Sequence, residues 1–167
     1  GMRNVAFPDR LLTVEEFLRF EEHAEERHEF VGGRIYLRGE ETTRRNLIAG
    51  NVHARLRTLA RGGGCRVYQG GVYYPDVMVV CDPTGDDAKR AYAPCLVAEV
   101  RAASAGGIDV YGHKLARYRA LPSVAAYLVV EQERREVAHH WRGSGGRWFQ
   151  RTLRDVGDLP LPCPVSG

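Results

Sequence analysis

Apolar and polar positions change period several times along the chain, and each change predicts an element. Val14, Phe17 and Leu18 stand at helical spacing ahead of a polar run through Glu26. Thr13 followed three residues later by Glu16 has the form of a capping box, so a short amphipathic helix is expected to start there. His28–Val31 and Arg34–Leu37 flank Gly32-Gly33, a dipeptide suited to the positive dihedrals of a two-residue turn. This predicts a hairpin with Glu29 on its first arm. Over 43–61, Ile48, Val52, Leu56 and Leu59 recur at helical spacing while arginines fill the other faces, and glycines at 62–64 end the stretch. A second, basic helix is expected. Residues 72–81, 95–100, 124–130, 136–141 and 148–153 are rich in β-branched and aromatic side chains and read as strands. Between two of them, 108–121 carries Leu115, Tyr118 and Leu121 on one helical stripe and is closed by Pro122. A strand, helix, strand crossover favours parallel pairing, and the short polar turns later in the chain favour an antiparallel meander. The expected fold class is therefore α/β with a mixed central sheet flanked by helices, and 82–93 reads as a polar surface loop.

Length narrows this to one domain over 2–167, because 167 residues suffice for one core, with Gly1 ahead of Met2 read as an expression scar. Hydrophobic residues at 44% and charged ones at 27% are ordinary for a globular chain and exclude disordered, collagenous and coiled-coil classes. No apolar stretch approaches the roughly 20 residues of a bilayer span, and the start lacks a signal-peptide core, so a cytoplasmic protein with no membrane partner is expected. Twenty-four basic against 21 acidic residues leave a net charge of +3, too little to announce nucleic-acid binding from whole-chain electrostatics. Lysine is scarce: Lys89 and Lys114 are the only two. Cys65, Cys81, Cys95 and Cys163 show no zinc-site spacing, and free thiols are expected.

The candidate chemistry lies in two apolar strands that each carry one carboxylate. Asp76 follows Pro75 at the mouth of one strand, and Glu99 sits inside the other. Buried carboxylates are costly unless paired, hydrogen-bonded or metal-bound. If the strands are neighbours, like charges at close range raise a pKa unless a cation lies between them. Asp76, Glu99 and the Val100 carbonyl would offer hard oxygen ligands to Mg²⁺ or Mn²⁺, with Lys114 as a cation that orients an attacking water and stabilises developing negative charge. The competing reading is structural: Asp76 caps the turn after Pro75 and Glu99 pairs with an arginine. His139 and His140, adjacent on a strand, point to opposite faces and cannot easily share one ion. His113 is a solvent-facing helical residue or a phosphate contact. Arg44, Arg45, Arg55, Arg57 and Arg61 make the second helix either a phosphate-contacting face or a solvated one.

The order of these residues resembles a known family. Pro75-Asp76 in a strand is followed by Glu99-Val100 at a strand end, then by Asp109 and Lys114 on the next helix. Glu29 precedes Gly32-Gly33, and Pro122-Ser123-Val124 leads into Tyr127-Leu128-Val129-Val130. This combination is similar to the Uma-type family of endonucleases within the PD-(D/E)xK nuclease superfamily, over about residues 12–141. The resemblance implies a restriction-endonuclease-like core and a divalent-metal site. It makes Asp76 and Glu99 the metal ligands, Lys114 the lysine moved from strand to following helix, and Glu29 the acidic residue before the first hairpin turn. Arg101 stands where the wider superfamily keeps its lysine and rivals Lys114 as the cation. Relatives usually read Glu-Val-Leu-Ser-Pro-Ser-Thr where this chain has Glu99-Val100-Arg101-Ala102-Ala103-Ser104-Ala105. They also carry a further strand before the Pro-Asp, where residues 62–71 are half glycine. The expectation is a Mg²⁺- or Mn²⁺-dependent endonuclease acting on DNA as a homodimer. The alternative is a catalytically inactive nucleic-acid-binding or partner-binding module of the same fold.

Overall fold

The computed structural model describes residues 10–38, 42–70, 75–81, 93–101 and 110–161. Thr13 caps the first helix, α1 (Val14–Glu22): its hydroxyl accepts from the Glu16 amide at 3.2 Å, and the Glu16 carboxylate accepts from the Thr13 amide at 2.8 Å. The helix stops short of Glu26, because the polar run after Glu22 offers nothing to bury. Its Phe17 is fully buried and stacks on Phe30 with ring centroids 5.0 Å apart. Phe30 belongs to the hairpin of β1 (His28–Val31) and β2 (Arg34–Leu37), which forms its own two-stranded sheet. Gly32 and Gly33 hold φ of 57° and 81°, as the turn demands. Gly33 has a second constraint, since a Cβ there would lie 2.8 Å from the Leu11 Cβ.

The main sheet has the order β3-β4-β5-β6-β7-β8, formed by Arg66–Gln69, Val77–Val80, Leu96–Val100, Ala126–Val130, Glu136–Arg142 and Trp148–Arg154. Its β5–β6 pair is parallel and every other pair antiparallel, as the crossover and the meander predict. Helix α2 (Thr43–Leu59) packs Leu56 on one face of the sheet, against Val77, Val79, Leu96, Ala98, Ala126 and Leu128. Helix α3 (Val110–Arg119) packs Tyr118 on the other, against Met78, Val80, Val97, Tyr127 and Val129. With both faces covered, β4 and β5 are buried throughout, which is why their sequences run almost continuously apolar and why a lone carboxylate in one of them stands out.

Two expectations need correction. The glycine-rich stretch before Pro75, ahead of the strand expected to begin only at residue 72, holds β3, paired with β4 in the register Arg66↔Val80 to Gln69↔Val77. Extending that register by one residue sets Cys65 opposite Cys81. The two are joined as a disulfide rather than being free thiols, and the Cys95 sulfur lies 3.0 Å from that of Cys81. Cys163, Tyr74, Lys89, Ser104 and Asp109 lie outside the described residues, as does the expected loop from 82 to 93 except for its last residue. Among the described residues no helix is long and apolar enough to cross a membrane.

Candidate active site

The β4–β5 ladder runs Val79↔Leu96, Met78↔Val97, Val77↔Ala98, and one step further it sets Asp76 opposite Glu99. Pro75 lacks an amide hydrogen and ends the pairing there. The Asp76 carboxylate turns back onto the sheet end, where its Oδ2 accepts the Val100 amide at 2.7 Å. Two guanidiniums meet its other side. Arg38, just after β2, donates from Nη2 to Oδ1 at 3.2 Å, and Arg45, in the first turn of α2, donates from Nη2 at 3.3 Å.

Glu99 is 2% exposed on the α3 side of the sheet. Its Oε1 accepts from Lys114 Nζ at 2.9 Å, and its Oε2 accepts from the Tyr127 hydroxyl at 2.8 Å. Lys114 is itself 3% exposed and pairs at the same distance, 2.9 Å, with Glu29 Oε2. Glu29 in turn faces Arg38 Nε at 3.7 Å from its other oxygen. The result is an alternating chain of charges: Arg45, Asp76, Arg38, Glu29, Lys114, Glu99. It joins the hairpin, both sheet faces and the two later helices at one end of the sheet.

Burial pushes Glu99 above the usual carboxylate range, Glu29 adds to that push, and Lys114 opposes it. For Lys114, burial favours the neutral amine, but Glu99 and Glu29 together outweigh it and its pKa is raised. Lys114 therefore stands as a charged ammonium, not as an amine primed to take a proton. Burial and the Glu99 carboxylate drive the Tyr127 hydroxyl well above its usual value, which keeps it a hydrogen-bond donor.

Asp76, Glu99, Lys114 and Glu29 are thus brought together. Arg101 is not: it pairs with Glu131 at 2.7 Å and lies over the Tyr111 ring at 4.5 Å. The Val100 amide faces Asp76, and in an extended strand the carbonyl of the same residue leaves on the same side. His139 and His140 point to opposite faces as expected. His139 is 1% exposed, and neither of its ring nitrogens has a hydrogen-bond partner among the described residues. His113 is exposed. Arg38, Arg45 as a partner of Asp76, and Tyr127 are the members that sequence reasoning missed. A hydroxyl in the otherwise apolar run from 126 to 130 was the signal for Tyr127, since a buried tyrosine needs a partner for its O–H.

Among the described residues no group of three or more His, Cys, Asp or Glu side chains stands in metal-holding geometry. The reason is visible in the chain of charges, where Lys114 separates Glu29 from Glu99 and Arg38 separates Glu29 from Asp76. Two hard carboxylates on adjoining strand ends remain, a donor set that suits Mg²⁺ or Mn²⁺. Beside Asp76 opens a cavity of about 270 Å³ lined by Arg38, Arg45, Asn46, Gln69 and Gly70.

Residues 14–165 match the Uma2 family, described as "Putative restriction endonuclease". Two proteins of Synechocystis sp., both described as uncharacterized, are similar along most of their length. One is 30% identical over 160 residues, covering 86% of this chain and 88% of the relative. The other is 28% identical over 149 residues, covering 83% and 78%. The crystal structure of a "putative nuclease belonging to DUF820" from Anabaena variabilis superimposes with a TM-score of 0.70 at 14% identity, over 93% of this chain and 92% of that one. At that identity the likeness speaks for the fold.

Proposed function

The chain belongs to the Uma2 restriction-endonuclease family, and from that premise we propose that it is a divalent-metal-dependent endonuclease hydrolysing DNA phosphodiester bonds at the Asp76–Glu99–Lys114 site. The observation that carries this reading is the buried Lys114 ammonium held 2.9 Å from the Glu99 carboxylate at the end of β5, which the β4–β5 register continues to a position opposite Asp76. Pre-positioned charge of this kind, a cation beside a carboxylate in a site shielded from water, is what stabilisation of a developing phosphate charge requires.

Asp76 and Glu99, with the Val100 carbonyl, would hold Mg²⁺ or Mn²⁺. When bound, such an ion polarises the scissile phosphate and lowers the pKa of a coordinated water. The remaining work falls to this chain's own groups. Lys114, kept charged by Glu29 and Glu99, orients the nucleophile and stabilises the negative charge that develops on the phosphate. Tyr127 fixes the Glu99 rotamer through Oε2 and leaves Oε1 toward Lys114. Glu29 positions Lys114 from the hairpin. Arg101, 40% exposed at its side chain and tethered to Glu131, serves as a substrate-binding residue rather than as the second cation. A homodimer would present two such sites to the two strands, and sedimentation with duplex DNA would report it.

One observation favours a rival. Three cations and three anions already balance in the described site, as a metal-free binding module of the same fold would require. Crystals grown with Mn²⁺ and a phosphorothioate duplex separate the readings. An anomalous peak between Asp76 and Glu99 is expected, and a duplex bound with no such peak would favour the module.

A further inference from the structure

Arg38 and Arg45 are the unexplained members of the site. Neither is needed to fix Asp76 in place, because the Val100 amide holds Oδ2 at 2.7 Å. Arg38 meets Oδ1 at 3.2 Å and Arg45 spans Oδ1 and Oδ2 at 3.3 and 3.4 Å, all longer than the roughly 2.7–2.9 Å of a tight charge-assisted bond. Both also line the 270 Å³ cavity beside Asp76, whose other walls include Asn46, Gln69 and Gly70. Two forked guanidiniums with side-chain amides around a polar hollow are groups that bind phosphate bidentately. Their side chains are 12% and 6% exposed, so a phosphate that reached them would be largely withdrawn from water.

Charge adds a second argument. The described cluster is neutral as it stands. A divalent ion alone would leave a buried site at +2, and a phosphate alone would leave it at −1. The two together come closer to balance than the ion by itself, so each raises the affinity for the other, and the coupling is reciprocal.

We propose that Arg38 and Arg45 form a phosphate clamp that occupies Asp76 in the free protein and transfers to a backbone phosphate of the nucleic acid, so that metal and DNA enter the site together. This rests on the metal-dependent nuclease reading of the same site. No bond is made or broken; one pair of ion pairs replaces another.

The test is Mn²⁺ binding, followed through the electron paramagnetic resonance of free Mn²⁺, with and without a short phosphorothioate duplex. For the parent, the duplex should tighten Mn²⁺ binding by about tenfold or more. Arg45→Gln and Arg38→Gln should each bind Mn²⁺ alone several-fold more tightly than the parent, and should lose most of the duplex effect. Circular dichroism checks folding. Should a glutamine variant not fold, Arg38→Lys keeps the charge but not the fork, and should retain part of the coupling. If Mn²⁺ binds the parent equally with and without duplex, or if the arginine variants bind it more weakly, the clamp is wrong while the metal site stands. If no protein binds Mn²⁺ under either condition, the nuclease reading falls and the clamp falls with it.

Discussion

Replacing Lys114 with methionine removes the central cation of a buried carboxylate pair while nearly keeping its shape. Each of its two ion pairs spans 2.9 Å, and at an effective dielectric of about 20 each is worth about 6 kcal/mol before desolvation. Burying the three groups takes back several kcal/mol per ion. What the variant loses is therefore the cost of leaving Glu29 and Glu99 facing each other without a cation, about 3–5 kcal/mol. For a domain of this size that corresponds to a fall in melting temperature of about 6–20 °C. The loss should depend on pH with a definite sign. Glu99 is already raised by burial, and without Lys114 it rises further, so it takes up a proton as the pH falls and the repulsion disappears. Urea unfolding of parent and Lys114→Met at pH 7.5 should thus show the full difference, and at pH 5 a smaller one. The double variant Lys114→Met/Glu99→Gln should recover part of the loss at pH 7.5, because only one carboxylate then remains. A Lys114→Met protein within 1 kcal/mol of the parent at pH 7.5, or a deficit that does not shrink on acidification, would refute the pairing.

Further outcomes follow from other parts of the structure. Burial, helped by Arg151 and His140, lowers His139 to about 4. The folded state therefore favours the neutral ring, whose contribution is complete above pH 6.5 and lost as the pH falls toward about 4. The gap amounts to about 3–4 kcal/mol at 1.36 kcal/mol per pH unit, and His139→Leu should abolish that acid arm of the stability profile. Tyr127→Phe removes a hydrogen bond to a buried carboxylate, so chemical denaturation should report a loss of about 1.5–3 kcal/mol; no loss would mean that Glu99 does not use the hydroxyl. Arg55 and Arg57 are exposed on α2, and replacing both should lower the slope of log DNA affinity against log salt by about 1 to 2. An unchanged slope removes that face from the interface.

The parts of the fold carried by local patterning were legible in the sequence. The capping box at Thr13, the Gly32-Gly33 turn and the helix between two apolar strands each announce themselves within a few residues. The helix between apolar strands sets the parallel β5–β6 pair. Asp76 and Glu99 were legible because a carboxylate in an apolar strand breaks the expected pattern, and Lys114 because the chain has so few lysines. What was hidden depends on register and distance. β3 was masked by the glycines around it, and with β3 unread the opposition of Cys65 and Cys81 could not be found, since only the β3–β4 pairing creates it. Arg38 meets Asp76 across 38 residues of chain, through the docking of the hairpin near the sheet end. The ionisation of Lys114 depends on the same docking: burial alone would lower its pKa, but Glu99 and, from the hairpin, Glu29 together reverse that.

Metal-dependent cleavage assigned to the named side chains is the central claim, and nicking of supercoiled plasmid tests it most directly. Parent, Glu99→Gln, Lys114→Ala and Arg101→Ala, purified side by side, would be compared in Mn²⁺, in Mg²⁺ and in EDTA. Nicking by the parent should require the ion. Glu99→Gln and Lys114→Ala should each slow turnover by about 10²-fold or more, and Arg101→Ala should mainly weaken DNA binding. A parent that does not nick under any of these conditions, or variants at Glu99 and Lys114 that nick as fast as the parent, would contradict the assignment.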